Sequence, residues 1–477
     1  MKNLNRTTAN APKPKTERVL QFGGGNFLRA FIDWMFDVYN DKMNADLGVL
    51  LVATTSFNNY KEWQEQDGLY HVLTRGYQNG ETVDSSHLVK SVSRILHLHE
   101  EWENYLKSAK NPDLRFIVSN TTEAGIRYSE TDKATDLPPK EFPAKLTLWL
   151  YHRYQFFKGA KDKGCIFIPA ELILKNGENL KKCILQNAKN WGLEPDFITW
   201  INEANTFCNT LVDRIVPGVR ENLNEEWEKL GYKDAAITQG EAFHFFVIEA
   251  PQHVQKKLPL NDAGLNVIFT DDLTPYRTRK VRILNGAHTS MVPVGYQYGI
   301  ETVRETVEDE IMGKFVHQSI FDEIIPTLDL PDEELQQFAN DVLDRFKNPF
   351  IRHELLSISL NSVSKFKTRV LPSIVEFYNR KQALPKCLVF SMAALIHFYK
   401  GEIPLKDDQI AIDFIQNEWK ICNSSQAAFT TMATNILKWE YAWKTDLTKV
   451  NGLQAALAKH LLAIEKDGMK AAVNALF

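Results

Sequence analysis

A lysine, an asparagine and a histidine stand close together in the segment Lys280-Val-Arg-Ile-Leu-Asn285-Gly-Ala-His288. If the segment is an α-helix, about 100° per residue places His288 about 80° and Asn285 about 140° from Lys280 around the helix axis. A long lysine side chain can bridge that separation. The three groups then suit the reduction of a carbonyl: the ammonium gives a proton to the developing alkoxide, the amide stabilises that oxygen, and the imidazole holds a substrate hydroxyl.

The alternative is that Lys280 and His288 are ordinary helix residues, the lysine on a solvated face and the histidine partly buried against the core. Their position favours chemistry, because the segment opens the second half of the chain, after a first half of nucleotide-binding type. A substrate would there face a nicotinamide bound at the carboxyl ends of the strands. We therefore expect the two halves to meet at a cleft.

A glycine turn stands near the start of the chain, where Gly23, Gly24 and Gly25 follow a β-prone run and precede an amphipathic stretch. Residues without Cβ let the backbone approach a pyrophosphate, and the helix N-terminus supplies N–H donors and a partial positive charge. The GxGxxG match is incomplete because Leu28 occupies the third glycine position, so a plain tight turn is the alternative. No carboxylate for the ribose follows the second strand, at Ala53-Thr54-Thr55-Ser56-Phe57. The spacing leaves NAD and NADP open.

Strands and helices alternate through the first half of the chain, which predicts a mostly parallel sheet with helices on its faces. The predicted strands are 18–22, 49–53, 114–119 and 165–168, and the predicted helices are 27–39, 144–157 and 176–191. After about residue 245, one strand-like segment, 265–270, precedes more than two hundred residues of helical periodicity. We predict an α/β dinucleotide-binding domain over residues 1–245 and a largely α-helical substrate domain over 246–477.

Composition excludes several classes of protein. The 477 residues carry a net charge of −4, which gives no electrostatic reason to bind nucleic acid or an anionic membrane. The five cysteines are widely spaced, without a CxxC pair, and fit neither a disulfide framework nor a thiolate metal site. The polar N-terminus does not resemble a signal peptide, and the most apolar run, 388–398, is too short to span a bilayer. We expect a soluble, cytoplasmic protein, and leave its oligomeric state open.

Two further patterns are interpreted as structural. His97-Leu-His99-Glu100-Glu101 would place both histidines on one face of a strand, but without a second cluster to complete a metal site. In the second half, proline punctuates the helical pattern at intervals that suit helix ends. These prolines are Pro326, Pro331, Pro349, Pro372, Pro385 and Pro404.

Several motifs together resemble a known family. Gly23-Gly-Gly-Asn-Phe27-Leu-Arg29-Ala30 resembles the GxGNFxRA signature of the polyol-specific long-chain dehydrogenases, the mannitol dehydrogenase family, and Lys280-x4-Asn285-x2-His288 resembles that family's catalytic signature. Other matching blocks follow in the family's order, so that the resemblance covers about residues 18 to 440. These blocks are 119–125, 211–215, Asn348-Pro349, Lys365 and Arg369.

The resemblance implies a Rossmann-type N-terminal domain with a mostly parallel sheet, followed by a largely helical C-terminal domain. It implies NAD as the cofactor, Lys280, Asn285 and His288 as the catalytic residues, and no metal. The residues that it places at the cofactor are Gly23, Gly24, Gly25, Asn26, Phe27, Arg29, Asn120, Thr122 and Glu123. It places Asp213, Lys365 and Arg369 at the substrate, and we expect Lys365 or Arg369 to bind a substrate carboxylate.

Within the family the chain most resembles the members that act on sugar acids. We therefore expect a reversible, NAD(H)-dependent reduction of a keto-uronate to an aldonate, D-tagaturonate to D-altronate, in hexuronate catabolism. The alternatives are a fructuronate reductase, a mannitol-type polyol dehydrogenase, or a nucleotide-binding regulatory protein without turnover.

One block departs from the polyol enzymes. Ala170-Glu171-Leu172 stands where the mannitol and fructuronate enzymes carry Cys-Asp-Asn, whose asparagine is held to pair with the equivalent of Asn285 in an oxyanion hole. Leu172 cannot donate a hydrogen bond, so either Lys280 and Asn285 suffice or another group supplies the second donor.

Overall fold

A computed structural model describes residues 1–54, 60–122, 124–219, 222–401, 403, 405–423 and 425–477. The chain forms two compact units. Unit 1 comprises Met1–Arg75 and Val83–Leu273, and unit 2 comprises Gly76–Thr82 and Thr274–Phe477. The division thus falls later than the predicted boundary after residue 245, because strands at 245–249 and 267–270 pair within a sheet of unit 1.

The main sheet of unit 1 is parallel throughout, with the strand order β6-β3-β2-β7-β8-β9. Its strands are β2 (Glu17–Phe22), β3 (Gly48–Ala53), β6 (Val92–His97), β7 (Phe116–Ser119), β8 (Ile166–Pro169) and β9 (Thr206–Phe207). The order reverses direction between β2 and β7, which is the switch point of a dinucleotide-binding sheet. The predicted α/β fold is confirmed, and so are the four predicted strands of this sheet, to within two residues.

Hydrophobic residues alternate across both faces of this sheet. Val19 and Leu51 belong to one buried cluster, and Leu20 and Phe22 belong to the other. Successive side chains of a strand point to opposite faces, so a strand that is apolar at every position needs cover on both sides. Helices provide it: α1 (Asn26–Leu28), α2 (Trp34–Met43), α3 (Tyr60–Glu65), α4 (Trp102–Ser108), α5 (Phe142–Phe156), α6 (Asn176–Asn190), α7 (Pro195–Ala204) and α9 (Gln252–Lys257). Another helix of this unit, α8 (Asn224–Leu230), buries no residue and lies beside the short strand Tyr232–Lys233 instead.

The sequence patterns missed three smaller sheets except for one strand, since the strand-like segment predicted at 265–270 is confirmed as β14 (Val267–Thr270). They have the orders β12-β4-β5, β10-β13-β14 and β1-β11. Their strands are β1 (Lys2–Asn3), β4 (Tyr70–Gln78), β5 (Glu81–Val89), β10 (Asn209–Asp213), β11 (Tyr232–Lys233), β12 (Thr238–Gly240), β13 (Phe245–Glu249) and β14 (Val267–Thr270). Asn79 and Gly80 join β4 to β5 with positive φ angles of 54° and 81°. Asn-Gly is the usual sequence of such a hairpin turn, so the hairpin had a readable signal.

Unit 2 is helical apart from its short segment 76–82. Its helices are α10 (Thr274–Lys280), α11 (Gly286–Tyr298), α12 (Val303–Glu308), α13 (Glu310–Gln318), α14 (Asp332–Phe346), α15 (Leu355–Ile358), α16 (Ser362–Arg369), α17 (Leu371–Lys381), α18 (Lys386–Phe398), α19 (Gln409–Ile421), α20 (Gln426–Lys438), α21 (Glu440–Trp443) and α22 (Leu453–Asn474). The apolar helix α18 packs against α11 and α22 at the centre of this unit. Among the described residues, no helix has the length and apolar character needed to cross a membrane.

The prolines mark helix ends as predicted. Pro331 and Pro385 precede the first residues of α14 and α18, and Pro372 lies in the first turn of α17. Pro404 lies outside the described residues. One proline departs from the pattern, since Pro293 lies inside α11.

Three helices contain or adjoin π-helical segments: Arg29–Asp33, Val281–Asn285 and Ser319–Ile324. The first joins α1 to α2, and we call the continuous helix Asn26–Met43 the glycine helix. The second joins α10 to α11, and we call the continuous helix Thr274–Tyr298 the lysine helix. Short 3-10 turns lie at Lys161–Lys163, Leu260–Ala263, Ile325–Thr327 and Leu447–Lys449.

Candidate active site

The glycine turn connects β2 to the glycine helix in a conformation that other residues would resist. Gly23 has a φ of +94°, and its N–H donates to the carbonyl of Val52 at 3.0 Å. The N–H of Gly24 donates to the Tyr60 hydroxyl at 3.1 Å, and a Cβ on Gly24 would lie 2.9 Å from the rings of Tyr60 and Trp63. The first two glycines are therefore required by the fold itself.

Gly25 differs from its two neighbours. A Cβ on this residue would meet nothing within 4 Å, and its φ of −65° suits any residue. Gly25 caps the glycine helix, whose first N–H groups have no partner within the helix. An open backbone at a helix N-terminus, beside the switch point of the sheet, fits the pyrophosphate of a dinucleotide. Asn26 is exposed here, and Phe27 is half-buried with its ring stacked on Phe31 at 4.9 Å.

Arg29 holds the turn in place. Its guanidinium donates to the Gly24 carbonyl at 3.1 Å and to the Asn26 side-chain oxygen at 2.6 Å, and it also donates to the Ala236 carbonyl. Burial lowers the pKa of Arg29. Arg29 thus bonds to the backbone of the turn and fixes its shape, and its predicted role at the cofactor stays a prediction.

Asp33 lies one helical turn further along, fully buried. Its carboxylate accepts hydrogen bonds from Gln21 at 3.1 Å and Tyr70 at 3.4 Å, while its second oxygen has no partner among the described residues. Burial raises the pKa of Asp33 to about 7, against the lowering effect of the Gln21 hydrogen bond and the Arg29 charge. Asp33 belongs to none of the predicted site motifs, although an aspartate on the apolar side of an amphipathic helix is a signal that the sequence carries.

The loop after β7 forms the other side of the switch point. The Asn120 amide donates to the Ala170 carbonyl at 2.6 Å, and the N–H and hydroxyl of Thr121 both donate to Glu171, each at 3.0 Å. Thr122 is exposed and accepts from the N–H of Gly125 at 2.7 Å. Glu123 lies outside the described residues.

The contacts of Glu171 explain why residues 170–172 differ in sequence from the corresponding block of the polyol enzymes. Its carboxylate is buried, burial raises its pKa, and it binds Ser119 as well as Thr121. Glu171 therefore ties the loop after β8 to the loop after β7. The side chain of Leu172 is 66% exposed, in the position where the polyol enzymes carry an amide.

Asp213 ends β10, where it pairs with Phe245 of β13. It is buried in unit 1, beside Arg214, whose guanidinium donates to the carbonyls of Ala30 and Glu241. The predicted role of Asp213 at the substrate stays a prediction.

A large cavity of unit 1 lies away from this turn. Its volume is about 560 Å³, and it is lined by residues at the amino ends of the strands, including Leu47, Phe116 and Ile166. Ligands of open parallel sheets bind at the carboxyl ends, so this cavity is not the expected cofactor crevice.

The lysine helix is not an α-helix throughout, as was assumed for the predicted triplet. Lys280 ends α10 and Asn285 ends the π-helical segment, so the angles calculated for an α-helix do not apply between them. In a π-helix, hydrogen bonds join residues i and i+5, and residues five apart come close to one side of the helix. Lys280 and Asn285 are five apart. The π turn therefore brings them nearer to one face than the predicted separation of about 140° for an α-helix.

His288 lies in α11, half-buried between aromatic rings. Its ring centre is 4.4 Å from that of Phe346 and 5.0 Å from that of His353. Burial lowers the pKa of His353. Phe346 ends α14 and His353 follows it in the chain, so the block around Asn348-Pro349 packs beside His288 as a consequence of the fold.

Two cations of α16 lie on one face, four residues apart. Lys365 donates to the carbonyl of Ile358 at 2.8 Å, and Arg369 donates to the hydroxyl of Thr289 at 3.5 Å, one residue beyond His288. Burial lowers the pKa of both groups, and the Arg369 charge further lowers that of Lys365. Gly286 permits the approach, because a Cβ there would lie 3.1 Å from the Arg369 carbonyl oxygen.

The interpretation of the histidines at 97–99 needs a correction. Strand β6 ends at His97, and His99 lies in the turn that follows, so the two do not alternate along one strand. A different group, Asp37, Asp41 and His87, has ligand atoms within 4.8 Å of one another. The ammonium of Lys90 already binds both carboxylates, at 3.2 Å and 2.8 Å, which argues against a cation there.

The mannitol dehydrogenase Rossmann domain matches residues 17–262, and the mannitol dehydrogenase C-terminal domain matches residues 272–465. The chain belongs to the mannitol dehydrogenase family. It is therefore a dehydrogenase that acts on CH–OH groups of a small molecule with a nicotinamide cofactor.

Relatives within this family resemble the chain along its whole length. An altronate oxidoreductase of Pectobacterium carotovorum subsp. carotovorum (strain PC1) is 44% identical over 99% of both chains. An altronate oxidoreductase of Bacillus subtilis (strain 168) is 45% identical over 99% of this chain and 98% of its own.

Solved structures share the fold of this family member. A D-sorbitol dehydrogenase in substrate-free form has a TM-score of 0.77 at 22% identity, covering 99% of this chain and all of the other. The mannitol 2-dehydrogenase of Pseudomonas fluorescens, in a ternary complex with NAD and D-mannitol, has a TM-score of 0.63 at 20% identity over 99% of both chains.

Proposed function

We propose that this chain reduces D-tagaturonate to D-altronate with NADH, reversibly, as a step of hexuronate catabolism. The observation that carries the proposal is the identity of 44–45% with altronate oxidoreductases over essentially the full chain. The cations Lys365 and Arg369 support it, because a uronate brings a carboxylate that a neutral polyol lacks.

NAD is the proposed cofactor. Nicotinamide, when bound, supplies the hydride that reduces the ketone carbon. Gly25 fits such a ligand, because its open backbone leaves room where a side chain would stand. The sequence that follows β3, Ala53-Thr54-Thr55-Ser56-Phe57, carries no arginine of the kind that accommodates the 2′-phosphate of NADP.

Lys280 is the proposed general acid. Its ammonium gives a proton to the alkoxide oxygen as the ketone carbon is reduced, and takes it back when altronate is oxidised. Asn285, brought round by the π turn, donates its amide to the same oxygen. His288, held by the rings of Phe346 and His353, fixes a neighbouring hydroxyl. The carboxylate is proposed to bind Lys365 and Arg369.

A cytoplasmic location is part of the same proposal. The cysteines are free thiols, as expected in a reducing compartment. Four of them are buried: Cys165, Cys183, Cys208 and Cys387.

The experiment compares D-tagaturonate, D-fructuronate and D-fructose side by side, each with NADH and with NADPH. We expect the highest kcat/KM for D-tagaturonate with NADH. A higher value for fructuronate or fructose would replace the substrate assignment, and preference for NADPH would replace the cofactor.

The variants Lys365→Gln and Arg369→Gln test the carboxylate contact. Losing a charge-assisted hydrogen bond costs about 1.5–3 kcal/mol, so we expect the KM for the uronate to rise about tenfold or more. Activity on fructose should change little. Lys466→Gln, at an exposed position of α22, is the matched control. Equal losses on both substrates would contradict a carboxylate role.

A further inference from the structure

A second cavity lies within unit 2, with a volume of about 560 Å³. This volume is within the range of small-molecule sites, about 300–1,000 Å³. Its walls come from the start of the lysine helix, the 3-10 turn at 325–327, helices α16 and α17, and Trp443. None of the residues assigned above to the substrate lines it.

The cavity lies on the other side of the lysine helix from Lys280. Thr278 and Arg282 both line it, so both lie on the side of the helix that faces the cavity. Lys280 stands midway between them in sequence and leaves the helix on the opposite side. Helix α16 repeats this arrangement, since Lys367 lines the cavity while Lys365 and Arg369 lie on the other face.

Two cations in this cavity lack protein partners. Across the part of the chain that the structure describes, Arg282 and Lys367 make no hydrogen bond or ion pair, although both are half-buried. Burial lowers the pKa of Arg282, and the nearby charge of Glu376 only partly offsets it. A half-buried charge without a partner costs free energy that a bound anion would recover.

The remaining walls suit the uncharged part of a sugar. Arg380 is already neutralised by Glu376 at 2.6 Å and Asp329 at 2.8 Å, so it does not add to the cationic pair. The two carboxylates can accept hydrogen bonds from ligand hydroxyls, but they repel a second negative charge on the ligand. Trp443 supplies an aromatic wall for the CH groups of a sugar chain.

From this juxtaposition we infer that unit 2 carries a second binding site, for a monoanionic polyhydroxy carboxylate, with Arg282 and Lys367 holding the carboxylate group. The site is separate from the proposed position of the substrate. It shares the π turn with Lys280 and Asn285, because Arg282 belongs to that turn.

The test uses the full-length enzyme and isothermal titration calorimetry, with D-gluconate, inorganic phosphate and D-sorbitol as probes. We expect D-gluconate to bind more tightly than phosphate, and D-sorbitol to bind at least tenfold more weakly than D-gluconate. In Arg282→Gln and Lys367→Gln, gluconate affinity at this site should fall about tenfold or more. At gluconate concentrations that saturate the wild-type site but lie below the weakened dissociation constant, one gluconate per chain is then lost from the measured stoichiometry. Lys466→Gln, whose side chain is exposed on α22, should leave the stoichiometry unchanged.

The loss of one site per chain in Lys367→Gln does not depend on the identity of the substrate, because Lys367 lies outside the lysine helix and gluconate bound at the active site would be unaffected. Thermal melts establish that each variant is folded, and Lys367→Gln serves if Arg282→Gln is not. Unchanged stoichiometry in a folded Lys367→Gln would overturn the inference. Tighter binding of phosphate, or equal binding of sorbitol, would overturn the assignment of the ligand.

Discussion

The glycine helix and the lysine helix each contain a five-residue π-helical segment, but the two segments differ in what they expose. In the glycine helix, Ala30, Phe31, Ile32 and Asp33 are all buried, and only Arg29 at its start is half-exposed. In the lysine helix, Val281, Arg282 and Asn285 remain half-exposed.

This difference in exposure indicates that the π turn has a different role in each of the two helices. A π turn inserts one residue into an α-helix and rotates everything before it relative to everything after it. In unit 1 the rotation fits a buried core beneath the glycine turn. In unit 2 it sets the directions of polar side chains. We therefore expect perturbations of the first segment to change stability, and perturbations of the second to change activity.

Removal of the Lys280 ammonium should have the largest effect on activity. We expect Lys280→Ala to lower kcat by about 10²–10⁴-fold, the usual contribution of a positioned general acid, and to leave the melting temperature nearly unchanged. The measurements are steady-state kinetics with D-tagaturonate and a thermal melt. A Lys280→Ala enzyme of full activity would remove Lys280 from the mechanism.

An alanine inserted after Val281 tests the π turn itself. The insertion places Lys280 and Asn285 six residues apart and rotates Lys280 away from Asn285. Since small misplacements of reacting groups cost about 10²-fold, we expect a loss of that order in kcat in a folded protein. The matched insertion of an alanine after Ala30 in the glycine helix should instead prevent folding, because it turns buried side chains out of the core. Comparable stability losses from both insertions, seen by circular dichroism, would contradict the distinction.

The glycine turn offers a smaller test within unit 1. Gly24→Ala should destabilise the protein by about 1–3 kcal/mol, because its Cβ would press on Tyr60 and Trp63. Gly25→Ala should cost at most about 1 kcal/mol of stability, yet raise the KM for NADH about tenfold or more. Denaturant melts and cofactor titrations check the pair. The prediction fails if Gly25→Ala binds NADH normally.

The smallest expected effect is on pH dependence. The folded-state pKa of Asp33, about 7, lies above its ordinary value of 3.8, so the folded state binds the proton more tightly than the unfolded state. The contribution of Asp33 to the free energy of unfolding should therefore fall as pH rises from about 4 to about 7. Asp33→Asn lacks this contribution, so its stability relative to the wild type should rise across this range, to an advantage of about 1–3 kcal/mol above pH 7. A stability difference between the two proteins that does not change with pH, measured by melts across this range, would contradict the buried acid.

Helices and strands were predicted from the local pattern of apolar residues along each segment. Strands β2, β3, β7 and β8 and helices α5 and α6 appeared within two residues of the predicted limits, because the period of apolar residues is a property of the segment itself. The hairpin of β4 and β5 was missed despite its Asn79-Gly80 turn, since its strands alternate weakly. His99 was misplaced because the end of a short strand depends on its neighbours in the sheet.

The residues of the candidate site were likewise predictable only in part. The glycine turn at Gly23–Gly25 and the triplet Lys280, Asn285 and His288 left structural alternatives open by themselves. Together with the family resemblance that their motifs carry, they predicted a dinucleotide-dependent dehydrogenase, and the matched family is of that class. The pairing of Glu171 with the loop after β7 could not be predicted, because fifty residues of chain separate the partners.

The sequence by itself determined the alternation of strands and helices, the glycine turn and the spacing of the triplet, since each depends on neighbours within a few residues. Only the tertiary structure decided the π turn between Lys280 and Asn285, the burial of Asp33, and the meeting of Arg282 with Lys367 at one cavity. Each of these depends on packing between segments distant in sequence, and packing decides where one extra residue or one unneutralised charge can be held.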